Sequence, residues 1–232
     1  MILKKWDDLP ENLKNEDVKK YYDILSKKKV SLFLKRLFDL FFSLTIMIVL
    51  LPFFIIVAIA IKLDSKGTVF YRHERITTYG KTFKIFKFRT MVQNADKMGT
   101  LVTIGHDKRI TRVGKIIRRI RLDEIPQLIN VLKGEMTFVG TRPEVKKYVD
   151  CYTDEMKSTL LMPAGVTSIA SIKYKDEDKI LERATKEGKD TDTTYITEVL
   201  PQKMQYNLKY IAKFSIWYDF KTCIETVINV LR

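Results

Sequence analysis

The sequence predicts an α+β fold, mostly helical, in which a small β-hairpin and amphipathic surface helices are carried on a membrane-inserted helix broken by proline. Three observations lead there. Phe41–Ile61 is a run of 21 residues without a charge. Phe83-Lys84-Ile85-Phe86-Lys87-Phe88 alternates with period two. Apolar residues elsewhere recur at helical spacing. The chain has 232 residues, 46% hydrophobic and 30% charged, which is enough to bury the core of one domain with an appendage. Nine Gly and six Pro exclude collagen-like and low-complexity classes.

The apolar run sets the compartment. A straight helix of that length covers about 31 Å, enough to cross a bilayer core. It begins too late for a cleavable signal peptide and has no small-residue cleavage site. A buried core helix is the alternative, but such helices are rarely apolar on every face. Pro52 sits in the middle, where it removes the bond to the carbonyl of Ile48. Lys27, Lys28, Lys29, Lys35 and Arg36 precede the run, and Lys62 and Lys66 follow it. Basic flanks favour the cytoplasmic side at both ends. A helix that enters, bends at Pro52 and returns satisfies them, and a spanning helix satisfies the length. These grounds leave both topologies open.

Three regions follow: an N-terminal extension over 1–30, a membrane-associated helix over 31–66 and a cytoplasmic domain over 67–232. The extension is of mixed charge, with a short helix around Val18, Tyr21, Tyr22 and Leu25 expected on the membrane surface or on a neighbour. Thr68–Tyr71 and the period-two stretch form a hairpin around a Tyr79-Gly80 turn. Val113, Ile116, Ile117 and Ile120 mark one helix. Another starts at Asp123, has Pro126 in its first turn and Leu128, Val131 and Leu132 on its apolar face, and stops at Gly134. Helices are also expected over Val145–Leu161 and Asp176–Lys186. At the end, Ile216–Leu231 places Trp217, Phe220, Ile224, Val227 and Ile228 on one amphipathic face.

Charge concentrates beside the second of these helices. Against a net charge of 42 − 28 = +14, Lys108, Arg109, Arg112, Lys115, Arg118, Arg119 and Arg121 crowd into 14 residues, and Asp123-Glu124 follows at once. A basic run of this kind is most often a solvated or headgroup-facing helix side, and Asp123 suits a helix N-cap. Together they say more. A carboxylate at a helix N-terminus among guanidiniums is expected to be held ionised, a poor acid but a competent nucleophile or metal ligand. Arginine pairs bidentately with phosphate esters, and Asp beside Glu suits Mg²⁺ held against a diphosphate. His73 and His106 have no metal-ligand partner at suitable spacing and read as structural or solvated. Cys151 and Cys223 are too far apart for a metal knuckle and read as reduced structural thiols.

Four ordered blocks carry a resemblance: Lys35–Asp39 (KRLFD), Phe70–Met91, Asp107–Pro143 (with LDEIPQLINVLKGEMTFVGTRP at its end) and Pro163–Asp178. From Lys35 to the C-terminus the chain resembles the bacterial sugar transferases, the small monotopic phosphoglycosyl transferases. The resemblance implies transfer of a phospho-sugar from a nucleotide sugar, usually UDP-linked, to a polyprenol phosphate, with release of UMP. It implies that Asp123 and Glu124 are the catalytic dyad and hold Mg²⁺, that Asp123 forms a covalent phosphosugar intermediate, and that the helix broken at Pro52 is re-entrant. Arg118 and Arg142 match the family's phosphate-binding arginines, and Pro143, Lys35 and Arg36 join them as substrate- and phosphate-binding candidates. The implied setting is the inner membrane of a bacterium, with the catalytic domain on the cytoplasmic face and a surface glycan as the end product. Membrane lipids are partners, nucleic acid is not, and the oligomeric state, a homodimer included, stays open.

Two departures stand out. The family's Gly-Pro-Arg-Pro is Gly140-Thr141-Arg142-Pro143 here, which is expected to loosen the turn. Its Pro-Gly-Ile-Thr-Gly and the following Gly-Arg are replaced by Ala164–Ser168 and Tyr174-Lys175, so sugar identity does not carry over. The rival readings are a non-catalytic basic membrane adaptor and a glycosyltransferase that releases UDP. A nucleic-acid reader needs neither Asp123-Glu124 nor a 21-residue apolar run.

Overall fold

Residues 1–95, 107–174 and 177–231 are described by the computed structural model; His106, Lys175 and Asp176 lie outside them. The N-terminal extension forms two 3₁₀ turns, Trp6–Asp8 and Glu11–Leu13, and helix α1 (Glu16–Ser26), capped by Asn15 accepting from the Val18 amide at 2.9 Å. The expectation that it rides on the membrane or a neighbour is corrected. Leu9, Leu13, Val18 and Leu25 are buried in the main core with Val139, Tyr148, Leu161, Leu200 and Phe214. Each such side chain contributes about 1.5–3 kcal/mol by leaving water, so the extension is integral to this chain's own fold.

Helix α2 (Lys29–Asp64) contains the apolar run and runs 36 residues with Pro52 inside it. The proline removes one donor without ending the helix. Only 11% of the most apolar window is buried, which rules out the core-helix alternative. Phe41, Ile48, Val49, Ile55, Ile56 and Ile59 are all more than half exposed. Both ends of α2 nevertheless dock on one body. Lys35, Arg36 and Asp39 bond to segments after residue 130, while Val57 and Ile61 pack with Phe88 and Ile117.

Strands β1 (Phe70–Ile76) and β2 (Thr82–Phe88) form the expected antiparallel hairpin, registered from Phe70 opposite Phe88 to Ile76 opposite Thr82. Tyr79 (φ 58°) and Gly80 (φ 75°) make its turn. Helix α3 (Arg112–Arg119) is doubly capped: Thr111 Oγ1 accepts from Gly114 N at 3.0 Å, and Asp64 from Val113 N at 2.9 Å. Its apolar residues divide. Val113 and Ile117 face α2 and Phe88, whereas Ile116 and Ile120 are exposed.

The helix expected from Asp123 is a 3₁₀ turn, Leu122–Gln127, followed by α4 (Leu128–Lys133), which stops at Gly134 (φ 80°) as expected. Strands β3 (Met136–Val139) and β4 (Ala164–Thr167) pair in parallel, an element the sequence reading lacked. Between them, the expected Val145–Leu161 helix is instead α5 (Lys146–Val149) and a 3₁₀ turn, Met156–Leu161. Thr153 interrupts it by accepting from Met156 N at 3.3 Å, a local bond that competes with helix continuation. The chain closes with α6 (Ile169–Lys173), α7 (Glu177–Lys186), α8 (Thr191–Thr194), one π-helical turn (Tyr195–Val199), α9 (Leu200–Lys213) and α10 (Ile216–Leu231). Trp217, Phe220, Ile224, Val227 and Ile228 on α10 are exposed, the amphipathic face that the spacing indicated.

Candidate active site

Asp123 and Glu124 lie where the chain turns sharply out of α3. Arg121 takes up a left-handed conformation (φ 56°), unusual for a residue with a Cβ, and the 3₁₀ turn begins directly after it. The turn lies against β2. There Lys87 reaches across and donates to Glu124 Oε1 at 2.8 Å. From the opposite side Arg142 Nη2 donates to the same oxygen at 2.8 Å. Both partners and the burial of Glu124 are decisive for its charge. Burial alone pushes its pKa up, but Arg142 and Lys87 overcome that and hold the carboxyl far below the ordinary range.

Asp123 behaves differently. It is not an N-cap: Arg121 occupies that position, and Asp123 is the second residue of the turn. Its surroundings pull its charge in both directions. Burial raises its pKa, with Glu124 adding to the rise, while Lys87, Arg118 and Arg121 oppose it. Adjacent carboxylates thus sit in unequal environments, one tightly paired and one buried beside it.

Of the predicted residues, Asp123, Glu124, Arg118 and Arg142 come together, and buried Pro143 follows Arg142 directly. Arg118 is half-buried and its charge acts on Asp123, whereas Arg112, Lys115 and Arg119 on the same helix are exposed. The Thr141 substitution does not loosen the turn. Its carbonyl accepts from Gly165 N at 2.8 Å, and Gly140 N donates to Thr167 O at 3.1 Å. A Cβ on Gly140 would stand 2.5 Å from Pro163 O, so only glycine permits this approach.

Lys35 and Arg36 do not join the site. Lys35 is 2% exposed and donates to Val139 O at 2.8 Å and Asp219 Oδ2 at 2.5 Å. Arg36 donates to Val131 O at 2.6 Å and Leu132 O at 2.9 Å, closing the C-terminal end of α4. Their assignment as phosphate-binding residues is replaced by a structural one. A basic residue before an apolar run looks the same in sequence whether it meets a phosphate or a carbonyl. Conversely, Lys87 was missed. Its one signal is the second lysine in an otherwise apolar period-two strand, at the position registered opposite Tyr71.

Among the described residues, no three His, Cys, Asp or Glu side chains are grouped to enclose a metal. Magnesium needs no such cage, because it keeps waters and takes one or two carboxylates together with substrate phosphates. Asp123 and Glu124 provide two, and their mutual repulsion is what a divalent cation relieves. The pair fits an ion shared with a phosphate. Cys151 and Cys223 are free thiols, as expected.

The profile of the bacterial sugar transferase family matches residues 30–232. The chain is 32% identical over 202 residues to the UDP-N-acetylgalactosamine-undecaprenyl-phosphate N-acetylgalactosaminephosphotransferase of Aeromonas hydrophila, covering 86% of this chain and 44% of that protein. It is 34% identical over 204 residues to the UDP-glucose:undecaprenyl-phosphate glucose-1-phosphate transferase of Klebsiella pneumoniae, with 85% and 40% covered. It is also 34% identical over 208 residues to the exopolysaccharide production protein ExoY of Sinorhizobium fredii, with 83% of each covered. The chain therefore spans less than half the length of the first two relatives. With its match running unbroken from the start of α2 through the Asp123-Glu124 turn to Arg232, this chain belongs to the bacterial sugar transferase family.

Proposed function

We propose that this protein transfers a phospho-sugar from a UDP-linked sugar to a polyprenol phosphate, releasing UMP and starting a bacterial surface glycan. The observation that carries the reading is the Asp123-Glu124 pair set between Lys87 and Arg142, with Arg118 alongside. Three cations around two carboxylates form a site for a polyanion that also presents a nucleophile. Support for the donor and acceptor classes comes from the relatives, whose names carry UDP-sugars and undecaprenyl phosphate.

In the mechanism, Arg142 and Arg118 hold the diphosphate by forked donation and orient the sugar-linked phosphorus toward Asp123. An Asp123 carboxylate oxygen attacks that phosphorus. The bond to the bridging oxygen breaks, and UMP leaves with its electron pair. A phosphate oxygen of the polyprenol phosphate then attacks the same phosphorus, the Asp123–phosphorus bond breaks, and the carboxylate is restored. Glu124, fixed by Lys87 and Arg142, keeps those cations placed. A Mg²⁺ held by Asp123 and Glu124 would supply charge neutralisation on the phosphate oxygens.

The reading places the active site at the cytoplasmic face of the inner membrane, with α2 entering and leaving by that same face. Both ends of α2 packing on one body support it, since a body on one side leaves no second side for either end. Exposed apolar residues on α3 and α10 suit contact with the same lipid surface. The test is the released nucleotide. Detergent-solubilised protein given Mg²⁺, polyprenol phosphate and, in turn, UDP-glucose, UDP-galactose or UDP-N-acetylgalactosamine is expected to release UMP from at least one donor. Release of UDP would make it a plain glycosyltransferase, and no release from any donor would leave a membrane adaptor.

A further inference from the structure

Arg142 hangs from a segment fixed on both sides. Before it, Gly140 and Thr141 are bonded to β4; after it, the Glu144 carbonyl accepts from Ile76 N at 3.0 Å. Two residues beyond Arg142, the Glu144 carboxylate is engaged by residues of a separate layer. Tyr195 Oη donates to Glu144 Oε1 at 2.6 Å, and Lys203 Nζ donates to Tyr195 Oη at 2.9 Å and lies 3.5 Å from Glu144. Lys203 also pairs with Glu177 at 3.3 Å. These groups are inside the protein: the Lys203 and Glu144 side chains are 7% and 11% exposed, and Tyr195 is buried. Tyr195 stands in the π-helical turn between α8 and α9, a local widening that α-helical propensity alone does not produce. Its ring lies 4.5 Å from that of Tyr148, whose hydroxyl is held by Asp192 at 2.6 Å.

Glu144 matters because it sits two residues after Arg142 on this pinned segment, and its charge acts on the Arg142 guanidinium, beside those of Glu124 and Glu177, and on Arg75 of β1. A buried carboxylate without its own cation would draw the nearest one. Resting on the function proposed above, we infer that Tyr195 and Lys203 are positioning residues, which occupy Glu144 so that Arg142 stays committed to Glu124 and the donor phosphate. No motif in α7–α9 suggests this, and the two residues never touch the reacting atoms.

The test is donor binding in the full-length protein. Lys203→Met takes from Glu144 its lysine partner and leaves it the Tyr195 hydroxyl, so the KM for the UDP-sugar is expected to rise about tenfold while the KM for polyprenol phosphate stays within twofold. Tyr195→Phe, which removes one hydroxyl donor and keeps the packing, is expected to raise the donor KM about threefold and decides the matter if Lys203→Met does not fold. A merely structural defect lowers kcat through the active fraction and leaves both KM values alone. Because the effect runs through Arg142, Lys203→Met added to Arg142→Ala is expected to change donor KM by less than twofold beyond Arg142→Ala itself. Unchanged donor KM in both Lys203→Met and Tyr195→Phe, or full additivity with Arg142→Ala, overturns the positioning role alone. An Arg142→Ala enzyme with unchanged donor KM overturns the role of Arg142 and the inference with it.

Discussion

Lys35, in the second turn of α2, donates to Asp219 on α10 at 2.5 Å, and both side chains are buried, at 2% and 3% exposure. The hydroxyl of Tyr210 donates to the other oxygen of Asp219 at 2.7 Å, so the carboxylate is satisfied on both sides. Burial raises the Asp219 pKa while Lys35 opposes the rise. This pair joins the start of the apolar helix to the last helix of the chain.

Removing one partner of such a pair strands the other. Lys35→Met is expected to destabilise the protein by about 3–5 kcal/mol, read as a lowered thermal midpoint in detergent. Lys35→Met combined with Asp219→Leu is expected to recover most of the loss, because no unpaired charge remains. If Lys35 instead bound substrate phosphate, the single variant would stay stable and lose donor affinity.

What the sequence discloses follows from what is local. The period-two strand and the Gly134 stop each depend on neighbours within a few residues and stand in the structure as expected, while the apolar run forms a helix that continues through Pro52 instead of breaking there. The β3–β4 pair was invisible because Met136–Val139 and Ala164–Thr167 are four residues each, in parallel, and separated by residues 140–163. Asp123 and Glu124 stood out because they follow a basic run without acids, whereas Arg118 and Arg142 were singled out only by the resemblance. Lys87 was not, since a lysine in a strand is ordinarily the solvent face, and only the packing of the Leu122–Gln127 turn against β2 brings it to Glu124. Lys35 and Arg36 misled for the same reason in reverse.

Lys87 gives the next prediction. It fixes Glu124 and stands within electrostatic reach of Asp123. Lys87→Met is expected to lower the rate of UMP release by about 10²-fold, the scale of losing one preorganised cation in a water-poor site. Lys87→Arg keeps the charge on a longer, planar group and is expected to recover part of it. Steady-state assays with saturating donor and acceptor check both. Activity of Lys87→Met within threefold of the wild type would place Lys87 outside the machinery.

The basic helix divides into two sets. Arg118 is half-buried and its charge acts on Asp123, while Arg112 and Lys115 are exposed. Arg118→Lys retains charge but loses the fork, so a loss of tenfold or more in kcat/KM is expected. Arg112→Ala and Lys115→Ala are expected to cost less than threefold, and to show it mainly as weaker, salt-sensitive binding to anionic vesicles. Equal tolerance at all three positions would make the whole run a lipid-facing surface.

Topology is open to labelling. In a background where Cys151 and Cys223 are replaced by Ser and Ala, a cysteine at Val30, which is 73% exposed, and one at Lys66 bracket the apolar run. If α2 enters and returns by one face, both sites react with a membrane-impermeant maleimide only after the cytoplasmic side is opened. Reaction of Val30→Cys from outside intact cells, with Lys66→Cys protected, would mean that the helix spans. Pro52→Ala restores the donor and removes the clash that disfavours a straight helix. A fraction of that variant is therefore expected to label at the residue-30 site from outside.

The decisive experiment concerns Asp123. As a nucleophile it must carry the phosphosugar as an acyl phosphate between the two displacements. Enzyme incubated with Mg²⁺ and a UDP-sugar radiolabelled in the sugar, without polyprenol phosphate, is expected to retain label on the protein and release at most one UMP per active site. Added polyprenol phosphate should then remove the label into the lipid phase. Asp123→Asn preserves size and polarity but not charge. Because Asp123 caps no helix and Arg121 fills that position, the fold is expected to keep its thermal midpoint within a few degrees while the adduct disappears. Glu124→Gln weakens the hold of Lys87 and Arg142, so it should slow adduct formation without abolishing donor binding. Full activity in a folded Asp123→Asn enzyme would remove Asp123 from the chemistry. An active wild type that forms no adduct would mean instead that the lipid phosphate attacks the donor directly, with both substrates bound at once.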